Sequence, residues 1–137
     1  MIGILLMSHG KMAEGMLDSC KLFFGDEIEK IKTLSLVFGD DPALFGQQIT
    51  EAAKELDDGS GVIAFCDMFG GTPSNQAMYV LNDRLQVITG MNLTMVLELL
   101  GQRMSCENID DLDLNTLIET GQTGIRSLNE IVASMKK

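Results

Sequence analysis

The chain has no tryptophan, one tyrosine, two prolines and a single histidine. Basic residues are scarce, with 10 Lys and Arg against 20 Asp and Glu, a formal net charge of −10. That field repels phosphate backbones, which excludes nucleic acid as a natural ligand and leaves a basic partner compatible. No apolar run approaches the roughly 18 residues of a membrane span. The first residues hold neither a basic region nor a small-residue cleavage site, so they are not read as a secretory signal. The three cysteines, Cys20, Cys66 and Cys106, are odd in number, far apart and form no CxxC pair. That usage fits a reduced, cytoplasmic setting in which they are small apolar side chains. GxxxxGK[ST] does not occur, so nucleotide binding is not indicated.

What is there is 45% hydrophobic and patterned in alternation. Ile2–Met7 and Gly61–Cys66 (GVIAFC) are continuous apolar runs ending in turns, the mark of buried strands. Ile31–Val37 and Leu85–Thr89 read as two more strands. Helical spacing links Met12, Ala13, Met16, Leu17, Cys20, Phe23 and Phe24, with Gly25 as the stop. Asp40 or Asp41 with Pro42 opens a second helix carrying Leu44, Phe45, Ile49, Ala52, Ala53 and Leu56. Ala77–Leu81 continues a third behind Thr72 and Pro73, and Gly90-Met91-Asn92 opens a fourth with Leu93, Val96, Leu97 and Leu100. Glu107–Asn115 reads as an acidic loop leading into a helix with Leu114, Leu117 and Ile118, broken by Gly121 and Gly124. Strand and helix alternate four times within residues 1–137, one domain. The fold class is α/β, three layers, with a mostly parallel sheet and helices on both faces.

In such sheets ligands sit beyond the carboxyl ends of the strands. Three unusual segments fall there: Ser8-His9-Gly10, Asp67–Asn75 and Gly90-Met91-Asn92. A lone imidazole is often just a hydrogen-bonded rim group. His9 stands at a strand end beside Gly10, which permits close backbone approach. One histidine does not build a zinc site, so no metal is expected, and its remaining uses are nucleophile, acid or base. Asp67 follows six apolar residues and must be paired. A cap would serve, as would an ion-pair-like bond to His9 that fixes the ring tautomer and supports positive charge on it. Gly70-Gly71-Thr72-Pro73 supplies amides at a helix start, with Thr72 as the N-cap, an anion cradle or an ordinary capped turn. Taken together, nucleophile, orienting carboxylate and cradle spell phosphoryl transfer onto and off His9, with no cofactor.

These stretches, SHGKMA, DMFGGTPSNQA from Asp67 to Ala77 and GMNLTM from Gly90 to Met95, resemble the enzyme IIA component of the mannose-type (mannose/fructose/sorbose) sugar phosphotransferase system. Thr94 stands where the family often has proline. The resemblance implies that His9 is phosphorylated, that Asp67 orients it and that Thr72 sets a hydroxyl near the phosphoryl group, with Gly10, Gly70 and Gly71 around it. It implies phosphate arriving from HPr and leaving to a separate IIB component, with membrane IIC and IID partners indirectly involved. It also implies a homodimer whose sheets exchange an antiparallel edge strand, placed here at Gly124–Leu128. Met12, Met68, Phe69, Met91 and Asn92 form the expected partner rim. Rival readings are a phosphocarrier for dihydroxyacetone kinase and a non-catalytic regulatory module. A histidine phosphatase or a metal chelatase needs more histidines or ligands than this chain supplies.

Overall fold

The computed structural model describes residues 1–136. Strands β1 (Gly3–His9), β2 (Ile31–Leu36), β3 (Val62–Cys66) and β4 (Leu85–Ile88) form one parallel sheet in the order β2-β1-β3-β4. Helices α1 (Met12–Phe24), α2 (Pro42–Leu56), α3 (Thr72–Ala77) and α4 (Leu93–Gln102) connect or follow the strands, and α5 (Leu114–Thr123) and α6 (Leu128–Met135) close the chain.

Period-two alternation along the strands sorts the core into two halves. Ile4, Leu6, Ile63 and Phe65 pack with Ala13 and Cys20 of α1, Val96 and Leu99 of α4, and Leu117 of α5. Leu5, Met7, Val62, Ala64 and Cys66 pack on the opposite face with Phe45, Ile49 and Leu56 of α2 and Ala77 of α3. Because β1 and β3 are buried on both faces, they read as unbroken apolar runs in the sequence.

The strand order places the sheet's change of winding direction between β1 and β3. From β1 the chain crosses to β2 on one side, and β3 then lands on the other. A crevice opens at the carboxyl end of these two strands by construction.

Several boundaries differ from the expectation. β1 runs on through His9, since Ser8 and His9 still pair with Ser35 and Leu36. Asp41, not Asp40, caps α2, accepting from the Ala43 amide at 3.1 Å, while Asp40 accepts from the Val37 amide. Helix α3 ends at Ala77, and the chain turns through Met78–Val80 by short-range bonds such as Tyr79 N–H to the Gln76 carbonyl. Gly121 does not break α5: it is buried within the helix, where a Cβ would stand 3.2 Å from Cβ of Met95. The expected edge strand at Gly124–Leu128 is absent among the described residues. Gly124 caps α5, and the Ser127 hydroxyl accepts from the Glu130 amide to start α6, a local cap that favours helix over strand. No helix among the described residues is long and apolar enough to cross a membrane.

At the opposite, amino-terminal end of the sheet, the Arg103 guanidinium is buried and donates to the carbonyls of Ile2, Lys30 and Glu29. Burial draws its pKa below the usual value, opposed by the charge of Glu29. Arg103→Ala removes the guanidinium donor from the Ile2 and Glu29 carbonyls and leaves the Lys30 carbonyl only the Ile4 amide, at a cost of about 2–4 kcal/mol. The urea midpoint is expected to fall by about 1 M or more at unchanged slope; a midpoint within error of wild type would refute the staple.

Candidate functional site

The crevice is organised around one carboxylate. β1 and β3 run side by side with Met7 opposite Cys66, so His9 and Asp67 emerge next to each other at the carboxyl ends of the strands. Asp67 extends the ladder by donating its amide to the Met7 carbonyl at 3.0 Å. Its Oδ2 then accepts twice from His9: from the backbone amide at 2.9 Å and from Nδ1 of the ring at 2.8 Å. Its Oδ1 accepts from the Met68 amide at 2.9 Å. A carboxylate only accepts, so Nδ1 carries the proton and Nε2 carries the lone pair. The Asp67 side chain is 8% exposed and the His9 side chain 44% exposed, an arrangement with the carboxylate inside and the imidazole ring at the surface.

Gly71 lies flat against the other side of the ring. A Cβ there would overlap Cε1 of His9 and stand 3.0 Å from Nε2. Its backbone is ordinary extended chain (φ −91°, ψ 172°), so the glycine is required by the close approach and not by the dihedrals. Gly71, not Thr72, is the N-cap of α3; Thr72 is the first helical residue and Pro73 the second. The Asn75 amide reaches back to the Gly71 carbonyl at 2.9 Å. Among the described residues the amides of Gly71, Thr72 and Ser74 have no acceptor within the chain. They leave unpaired N–H groups at the first turn, where an anion is favoured.

The other expected cradle residues contribute differently. The Gly10 amide is committed to the Leu36 carbonyl at 2.7 Å, and the Gly70 amide to Oγ of Ser74 at 3.0 Å. Both glycines occupy positive φ, +58° and +92°, and their role is to bend the chain around the ring.

Of the expected rim, Met12, Met68 and Phe69 are exposed, Phe69 at 78%. Met91 is not: its amide bonds the Cys66 carbonyl and its side chain, 4% exposed, belongs to the core. Asn92 is committed at both ends, Oδ1 accepting from Met95 N–H at 3.0 Å as the cap of α4 and Nδ2 donating to the Gly121 carbonyl at 3.2 Å. The sequence reading missed Phe38, fully exposed two residues beyond the end of β2 and thus on the same end of the sheet. Its signal was the FGDD turn that follows a strand pattern. The reading also missed Ser8 and Ser74, two buried hydroxyls beside the site. Cys66, next to Asp67, is fully buried; burial, with the Asp67 charge adding, pushes its thiol up to about 12, so it remains protonated. No cluster of metal-ligating side chains occurs among the described residues.

A family model described as "PTS system fructose IIA component" matches residues 3–115. The chain is 29% identical over 129 residues to the PTS system mannose-specific EIIAB component of Escherichia coli K12, covering 93% of this chain and 39% of that protein. It therefore spans well under half the length of that relative. It is 28% identical over 138 residues to the PTS system fructose-specific EIIA component of Bacillus subtilis 168, covering 99% of this chain and 92% of that one. The crystal structure of phosphotransferase system component EIIA from Streptococcus agalactiae superposes with a TM-score of 0.82 at 26% identity, covering 95% and 99% of the two chains.

Gly71→Ala tests the site without reference to any reaction. The added methyl is expected to push the His9 ring off Asp67, seen as moved ring resonances in NMR. Gly15→Ala, on an open helix surface with nothing within 4 Å of the new Cβ, leaves the ring unmoved and raises stability by about 0.5–1 kcal/mol. Unmoved His9 resonances in Gly71→Ala would contradict the close approach.

Proposed function

The chain belongs to the EIIA-man family of phosphotransferase-system IIA components, and from that premise we propose that it is a phosphocarrier for phosphoenolpyruvate-dependent sugar uptake, taking a phosphoryl group from phosphorylated HPr on His9 and handing it to a IIB component. The observation that carries this reading is the bond between Nδ1 of His9 and Oδ2 of Asp67, which leaves Nε2 of a half-exposed ring free to act as the nucleophile.

In the forward step the Nε2 lone pair attacks phosphorus, the bond from phosphorus to the donor breaks, and its electron pair returns to the donor. The His9 ring gains positive charge as the new N–P bond forms, and the Asp67 carboxylate at 2.8 Å offsets it. The proton stays on Nδ1 throughout, so no general base is required. The three phosphoryl oxygens meet the unpaired amides at the start of α3 and the Thr72 hydroxyl. Transfer to IIB is the same step with the acceptor as nucleophile and His9 as leaving group. The positive charge on the ring weakens the N–P bond, which suits a group that must be given up again.

Both partners reach the same nitrogen in this reading, and the exposure of Met12, Met68 and Phe69 supports their serving as an apolar rim that both partners meet. The acidic chain favours partners with a basic approach surface. We read the assembly as a homodimer. The outer edge of β4 carries no strand, and a groove of about 510 Å³ runs beside it, lined by Val87, Ile88, Met95, Ile118 and Ile125. Helix α6 has no buried residue, and Leu128, Val132 and Met135 on it are exposed. An unpaired edge and an unpacked apolar helix in one chain are both covered when α6 packs on a second copy.

Incubation with phosphoenolpyruvate, enzyme I and HPr is expected to add one phosphate by intact mass, lost in acid and retained in alkali as a phosphoramidate is. His9→Ala abolishes it; full labelling of that variant ends the assignment. Asp67→Asn removes a charge-assisted bond of about 1.5–3 kcal/mol, so transfer slows about 10- to 100-fold with the fold retained. An unchanged rate would remove Asp67 from the mechanism. Light scattering at micromolar concentration gives twice 14.9 kDa; a concentration-independent monomer that still carries phosphate would show that the dimer is dispensable.

A further inference from the structure

Two hydroxyls stand behind the site with no part in the chemistry just described. Ser8 is fully buried, and its Oγ accepts from the Ala13 amide at 2.7 Å while donating to the Gly10 carbonyl at 3.1 Å. Ser74 is 5% exposed, and its Oγ accepts from the Gly70 amide at 3.0 Å while donating to the Gly71 carbonyl at 3.2 Å. The pattern is similar in both: one hydroxyl donates its proton to a glycine carbonyl and accepts a nearby amide, from the first turn of α1 for Ser8 and from the loop before α3 for Ser74. Ser8 follows Ile4 and Leu6 in the strand alternation and lies in the α1 layer, whereas Ser74 belongs to α3 on the opposite face. The ring of His9 sits between the two loops so tied.

We infer that Ser8 and Ser74 are positioning residues, a pair of buried hydroxyl clamps that hold the His9 ring between Asp67 and Gly71 for phosphoryl transfer; this rests on the phosphocarrier reading. The need for clamps follows from the glycines. Gly10 and Gly70 sit at positive φ and Gly71 must lack a side chain, so the chain around the ring is made of the residues with the greatest backbone freedom. A loop of that composition fixes nothing by itself. Each hydroxyl is shielded from water, so it has no solvent partner to exchange with, and its two bonds act as a rigid strut. A transfer whose reacting atoms must be in line loses rate steeply when one partner is displaced by even an ångström. A serine that merely filled the core would lower stability when replaced and leave the ring where it is.

Ser8→Ala and Ser74→Ala decide between these roles. Two quantities are read in each: the single-turnover rate of phosphorylation by phospho-HPr as a function of HPr concentration, and the ¹⁵N pattern of the His9 ring in the unphosphorylated protein. The expected result is a maximal rate about 10- to 100-fold lower, a half-saturating HPr concentration within about twofold of wild type because the exposed rim is untouched, and a ring pattern shifted from the single Nδ1-protonated tautomer toward a mixture. If Ser8→Ala does not fold, Ser74→Ala carries the decision alone. A folded alanine variant with the wild-type ring pattern, or with the wild-type maximal rate, overturns the inference while labelled wild-type His9 leaves the carrier reading standing. If wild-type His9 takes no phosphate, the carrier reading fails instead, and the ring pattern still judges whether the serines position the imidazole.

Discussion

Everything at the carboxyl end of this sheet depends on one oxygen, Oδ2 of Asp67. It accepts the backbone amide and the ring Nδ1 of the same residue, His9, and so ties the end of β1 to the end of β3 by two bonds to one atom. The bond to the amide fixes the end of β1, and the bond to the ring fixes the imidazole. The two cannot be separated: the register that sets Met7 against Cys66 also sets the distance between imidazole and carboxylate. Moving either strand by one residue would turn its side chains to the other face and dissolve the pair. The apolar packing of Leu5, Leu6, Ile63 and Phe65 therefore acts on the site by holding register.

The same logic explains how much could be read before the fold was known. The four strands and helices α1, α2 and α4 are marked by strong periodicity and by caps such as Asp41-Pro42 and Asn92, so their order and the parallel sheet were legible. His9 and Asp67 were legible as a pair because polar residues directly after buried strands are rare and must have partners. What failed to show lies in short or context-dependent segments. α3 has only six residues, too few for periodicity to fix its start or end. Gly121 looks like a breaker, yet helix α5 uses it to approach Met95 and Asn92 closely. Met91 resembles a rim residue by its place in a loop, and only the bond to the Cys66 carbonyl turns it inward. Arg103 gave no signal at all, because its partners are carbonyls from residues some 70 to 100 positions away. The serines were invisible for a related reason: a hydroxyl in a strand or a short helix reads as neutral until its bonds are seen.

The two ends of the sheet divide the labour. At the amino end a buried guanidinium satisfies three carbonyls and makes a rigid base, with the Arg103 side chain sealed from solvent. At the carboxyl end the chain uses glycine, short turns and exposed apolar side chains, with Phe69 and Phe38 standing out into water. Exposed apolar side chains of that kind cost solubility. The net charge of −10 offsets this cost over the rest of the molecule.

The position of Cys66 has a consequence for chemical reactivity at this site. A thiolate is intrinsically a far stronger nucleophile than an imidazole, and a cysteine lies a single residue before Asp67 in the chain. The apolar layer beneath the site keeps that sulfur protonated and out of reach of solvent. The sheet thereby sorts two nucleophiles by depth. Peroxides arriving at the mouth of the crevice meet the exposed thioethers of Met12 and Met68 and not the Cys66 thiol, so oxidation at this end of the sheet falls on the rim as methionine sulfoxide and spares the sulfur directly beneath Asp67.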